Sequence, residues 1–158
     1  MMLMSANERT GWRDDALSLR HREWGHDCPA VDLDFLLIEY DRAEPKALVE
    51  YKNEHAQPIV VSKSPSIRAM AKLADDANLP AFLVRYADDF TWWKVRPLNR
   101  QSLVYAMPYL SDQQYDFIVD ELEYVALLYK LRGRQMPQSV ADHISDMRAT
   151  QEASVYGM

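Results

Sequence analysis

The chain's 158 residues, 48% of them apolar, suffice for one hydrophobic core and make a second independent domain unnecessary. Its longest apolar runs, such as Phe35 to Ile38, fall far short of the roughly 18–20 residues that a membrane-spanning helix needs. A net charge of −6 counts against a broad phosphate-binding surface, although carboxylates gathered at a metal site enter that total without facing a polyanion. Met1 to Met4 gives way to polar residues at Ser5 to Thr10, which is too short for a secretory signal. The single cysteine, Cys28, has no partner for an internal disulfide. A cytoplasmic protein without membrane attachment is expected.

From Asp14 to Trp24 apolar Leu17, Leu19 and Trp24 alternate with charged residues, which predicts an amphipathic helix stopped at Gly25. The run Val31 to Tyr40 predicts a strand, Asp41 to Pro45 a turn, and Lys46 to Asn53 a second strand pairing with the first as a hairpin. Ser64 is placed to cap a helix with Pro65 in its first turn, and Ile67, Met70, Ala71, Leu73 and Ala74 recur at helical spacing until Asn78-Leu79-Pro80. Ala81 to Tyr86 and Thr91 to Arg96 read as two further strands around a turn at Asp88-Asp89. Ser111 and Gln114 form a capping-box pattern ahead of a C-terminal helix spanning 111–133, with Gly133 as its stop. Residues 1–133 are expected to form one α/β domain. Residues 134–158 are expected to be a weakly structured tail, with a marginal helix from Gln138 to Arg148.

Glu50-Tyr51-Lys52 carries the chemistry. Strand side chains alternate, so Glu50 and Lys52 share one face about 6.7 Å apart, in a run that is otherwise apolar. Charges placed within a sheet cost free energy unless they are paired or solvated. Asp34 borders the preceding apolar run, and the hairpin brings it to the neighbouring strand. Two carboxylates beside an ammonium suit a hard divalent ion such as Mg²⁺, held by carboxylates together with the oxygens of a phosphate. Lys52 could then orient a water or offset charge on phosphorus. The other reading keeps Glu50 and Lys52 as an exposed ion pair and Asp34 as a turn residue.

Asp34 with Glu50-Tyr-Lys52 resembles the PD-(D/E)xK nuclease superfamily, of restriction-endonuclease-like and Holliday-junction-resolvase-like fold. The resemblance runs from about residue 12 to 90. It implies an αβββαβ core with a central mixed sheet flanked by helices, to which the C-terminal helix is an addition. It also implies a deoxyribonuclease using Mg²⁺ or Mn²⁺, ligated by Asp34, Glu50 and the backbone carbonyl of Tyr51. The carboxylate that many members add from the first helix would be Glu23, with Glu8 behind it. The literal Pro-Asp pair is missing, because Pro29 stands several residues before Asp34, and Asp32 remains an alternative for the Asp34 role. Members often act in phage, restriction or repair systems and many dimerise. The apolar face of Tyr115 to Arg132 is the surface that the sequence offers for a homodimer.

Lys63, Arg68, Lys72, Arg20 and Arg22 are candidates for gripping a DNA backbone, and His55 follows the motif closely enough to join them. His21, His26, His55 and His143 show no recognised zinc spacing. A catalytically inactive nuclease-fold module, binding a protein or nucleic-acid partner, is the competing reading and suits the acidic total better.

Overall fold

A computed structural model of the chain describes residues 15–25 and 31–157. Glu8, His26, Cys28 and Pro29 lie outside the described residues. The chain divides into two compact units, residues 1–32 and 33–158. In the first, helix α1 covers Asp15–Arg22, and Gly25 adopts φ 104°, the left-handed conformation suited to a stop after a helix.

The second unit is α/β, with a five-stranded mixed sheet flanked by helices. Its strands lie side by side in chain order: β1 (Phe35–Glu39), β2 (Glu44–Asn53), β3 (Ala81–Tyr86), β4 (Trp93–Pro97) and β5 (Phe117–Val119). All neighbours are antiparallel except β2 and β3, which run parallel because helix α2 (Pro65–Asp76) carries the chain back between them. Ser64 caps α2 as expected, accepting the Ile67 N–H, and Pro65 fills its first turn. Among the described residues two strands precede this crossover helix, where the αβββαβ order has three.

Alternation along the strands decides what each face meets. On one side Ala47, Val49, Phe82, Val84, Val95, Phe117 and Val119 form the main core. Helix α3 (Arg100–Ala106) contributes Ala106 to it, and helix α4 (Glu121–Leu131) contributes Tyr124, Leu127 and Leu131. On the other side α2 sets Met70 and Ala74 against Leu48 and Ala81, at one end of the sheet. Beyond them the face carries Glu50, Lys52, Arg85, Lys94 and Arg96 around Leu83.

The C-terminal part differs from the expectation. The segment read as one helix over 111–133 begins with a turn in which the Ser111 N–H is bonded by Gln114. It continues as β5, and becomes helical only after Asp120, which forms the operative capping box with Glu123. Val119 fits the helical spacing of Tyr115, Ile118 and Leu122 as well as a two-residue alternation with Phe117, and pairing of Phe117 and Val119 with Val95 and Trp93 of β4 decides between them. Between Tyr115 and Arg132, Val119, Tyr124, Leu127 and Leu131 are buried in the chain's own core, whereas Tyr115 and Ile118 are exposed. Residues 134–158, expected to be weakly structured, contain the 18-residue helix α5 (Gln138–Val155). Buried Ile144 fixes it, together with hydrogen bonds from Arg148 and Gln151 to the Phe90 and Asp89 carbonyls. Among the described residues no helix is long and apolar enough to cross a membrane.

At the end of β1 a carboxylate is buried. Glu39 is 0% exposed, and Arg134 donates Nε and Nη2 to its two oxygens at 2.7 Å each, with Arg132 Nη2 at 3.6 Å. The bidentate guanidinium is the first cause holding the Glu39 carboxyl below its ordinary pKa. A lowered carboxyl contributes stability that is present above the unfolded glutamate's pKa and is lost as pH falls through the lower folded value. Glu39→Gln should therefore lower the thermal midpoint at neutral pH, and the difference from wild type should close in acid. Melting curves of both proteins from neutral to acid pH check this, and a constant offset would exclude Glu39 as its source.

Candidate active site at the β1–β2 edge

The three residues singled out by the motif meet. Phe35 of β1 opposes Val49 of β2, so Asp34 arrives beside Glu50 just where the ladder ends. The Leu48 N–H bonds Pro80 on the β3 side, so by alternation the Tyr51 N–H points towards β1. No β1 backbone group takes it; instead it donates to Asp34 Oδ2 at 2.9 Å. An extended residue sends its N–H and C=O to the same edge, so the Tyr51 carbonyl also faces the Asp34 side. The Tyr51 ring projects to the opposite face, where its hydroxyl bonds that of Tyr124, and burial raises the pKa of both phenols.

Glu50 and Lys52 share the face away from the main core, and Lys52 Nζ lies 3.2 Å from Glu50 Oε1. Glu50 is the less exposed partner, at 14% of its side chain against 36%. Its carboxyl is raised above the ordinary value, first by burial and then by the Asp34 charge, with Lys52 acting in opposition. Two carboxylates thus repel one another while one ammonium pairs with Glu50, and an added cation would relieve the repulsion. That donor set, oxygen-only with one oxygen of Asp34 outside the Tyr51 bond, fits a hard divalent ion.

Beyond the end of β2 lies a second cluster. His55 Nε2 is 2.7 Å from Asp88 Oδ2 and 3.2 Å from Glu54 Oε1, and the ligating atoms of the three residues lie within 4.8 Å of one another. Asn53 braces it by donating to Asp88 Oδ1 and accepting the His55 N–H. Asp88 is 33 residues from His55 in sequence and reaches it through the β3–β4 turn, so motif spacing could not have found it. The loop between β2 and α2 is held by Arg85 of β3, whose guanidinium donates to the carbonyls of Asn53, Ala56 and Gln57.

The remaining candidates separate. Lys63 ends a 3₁₀ turn (Val61–Lys63), and Arg68 and Lys72 lie on α2; all three are exposed. Arg20, Arg22 and Glu23 belong to the first unit, whose last residue is Asp32. Asp34 meets β2 through the Tyr51 N–H. Sequence reasoning left out Lys94 and Arg96 of β4, which with Lys52, Glu54, Arg85 and Asp116 line a 440 Å³ cleft on the open sheet face. Lys63, Arg68, Lys72 and His55 do not line it.

No family model, curated protein or solved structure matches the chain.

The raised Glu50 carboxyl yields a test. A carboxyl whose folded pKa lies above its unfolded one weakens the folded state wherever it is ionised, and the cost vanishes below both values. Glu50→Gln should accordingly be more stable than wild type at neutral pH in EDTA and indistinguishable from it in acid. Urea unfolding at the two pH values decides, and a loss of stability at neutral pH would mark Glu50 and Lys52 as an ordinary structural ion pair.

Proposed function

We propose that the chain is a divalent-metal-dependent deoxyribonuclease of restriction-endonuclease-like type. The observation that carries this reading is the convergence of Asp34, Glu50 and Lys52 on one patch, with the Tyr51 backbone turned to the same edge. Further support comes from the crossover through α2 to a strand parallel with the one bearing Glu50 and Lys52. Asp34 and Glu50 would hold Mg²⁺ or Mn²⁺ with the Tyr51 carbonyl. When bound, such an ion polarises a phosphodiester oxygen and makes water more acidic.

Each residue of the chain has a separate part. Accepting the Tyr51 N–H fixes the Asp34 carboxylate, so less freedom is lost when it binds a ligand. Partial burial strengthens the charge interactions of Glu50. The Lys52 ammonium, on the same face, would orient the attacking water and offset the charge that builds on the phosphoryl oxygens. DNA is the proposed partner, and a homodimer would serve to cut two strands.

A binding or assembly module without catalysis is the second reading. On its side stand two satisfied contacts: Asp34 already caps the end of the β1–β2 ladder, and Glu50 already pairs with Lys52.

Cleavage assays separate the two. Wild-type protein should nick DNA in Mg²⁺ or Mn²⁺ and lose this activity in EDTA. Lys52→Ala should reduce the rate by about 10²–10³-fold, the typical cost of removing one group that stabilises developing charge. Asp34→Asn and Glu50→Gln should lose Mn²⁺ binding by calorimetry while remaining folded. Wild-type protein that neither binds Mn²⁺ nor cuts single-stranded, duplex or branched DNA would establish the module instead.

A further inference from the structure

We propose that the open face of the sheet, across β2, β3 and β4, is a seat for the sugar-phosphate backbone of a nucleic-acid strand, gripped by Lys94 and Arg96. This rests on the nuclease reading for the identity of its occupant. The register sets three cations in one row: Lys52 opposes Arg85, and Arg85 opposes Lys94. Like charges directly opposed on neighbouring strands destabilise a sheet. With strands about 4.8 Å apart, the row spans roughly 10 Å, and Arg96 lies on the same face in the adjacent row, opposite Leu83.

The charges of this face are only partly answered from within. Lys52 has Glu50 at 3.2 Å, and Lys94 has Asp116 at 3.6 Å. Arg85 is directed to backbone carbonyls, so it contributes field rather than grip. Among the described residues Arg96 meets no carboxylate, only the ring of Tyr115 at 5.9 Å. Four cations against Glu54 and Asp116 give the 440 Å³ cleft a positive balance on a chain whose total is −6. The cleft adjoins the Asp34–Glu50 pair through Lys52, which belongs to both. An extended polyanion fits this layout: one phosphate at the carboxylate edge, its neighbours along the cations.

The test is fluorescence anisotropy with a labelled single-stranded DNA in EDTA, titrated at several salt concentrations, with cleavage in Mn²⁺ run in parallel. Wild type should bind with a salt-dependent affinity. Lys94→Ala and Arg96→Ala should each weaken binding and lower the salt slope by about 0.7 for each phosphate that is no longer neutralised. Lys94→Glu/Arg96→Glu should abolish binding. Lys130→Ala, on the helix that packs against the opposite face, should leave it unchanged. The inference is overturned if folded alanine variants bind as wild type does, if wild type shows no salt-dependent binding, or if poly-glutamate displaces the DNA at equal charge. Wild type that binds through Lys94 and Arg96 yet never cleaves would overturn the nuclease reading while upholding the cleft. Cleavage with binding indifferent to both residues would do the reverse.

Discussion

The two-residue alternation of β2 is the constraint on which both the core and the candidate site depend. Ala47, Val49 and Tyr51 point to the layer built with α3 and α4, while Leu48, Glu50 and Lys52 point the other way. A slip of one residue would drive an ammonium and a carboxylate under Tyr124 and leave Val49 in water. The apolar side therefore enforces the polar side: burial of Val49 holds the register that puts Glu50 beside Asp34.

Against that rigid frame the open face carries unfavourable electrostatics. Glu50 is raised by its own burial and by Asp34, and three cations stand in one opposed row. The Glu39–Arg134 contact shows what the same chain does with a charge that serves structure: full cover, two short hydrogen bonds, and a carboxyl held low. A fully covered carboxylate with two short hydrogen bonds thus stands at one end of β1, and a carboxyl raised by burial and a neighbouring charge stands beside the other.

Legibility followed the range of the determining interaction. The start of α2 was visible because Ser64-Pro65 is a local signal, and β3 was read at its observed bounds, Ala81–Tyr86. The meeting of Asp34, Glu50 and Lys52 needed only alternation and one hairpin. Helix α3 was missed although Asn99 and Ser102 form a capping box, because its seven residues are too few to display a period. The nature of β5 was hidden because Val119 belongs equally to a helical run with Tyr115, Ile118 and Leu122 and to an alternation with Phe117, and only β4 chooses. Helix α5 looked weak in isolation, since its hold comes from Ile144 and from bonds to a loop some sixty residues earlier. Lys94 and Arg96 could not be attached to the site, because their position beside Arg85 and Leu83 is a product of strand register.

Arg85 fastens the segment after β2 by three carbonyl oxygens, and it is made 28 to 32 residues later than the groups it fastens. During synthesis from the N-terminus, Glu50 and Lys52 leave the ribosome well before their parallel neighbour. Until β3 docks, the stretch from Asn53 to Gln57 has no anchor and the cationic row lacks its middle member. Maturation of this surface is thereby timed by the crossover, so that a nascent fragment ending short of residue 85 exposes the motif without the scaffold that aims it.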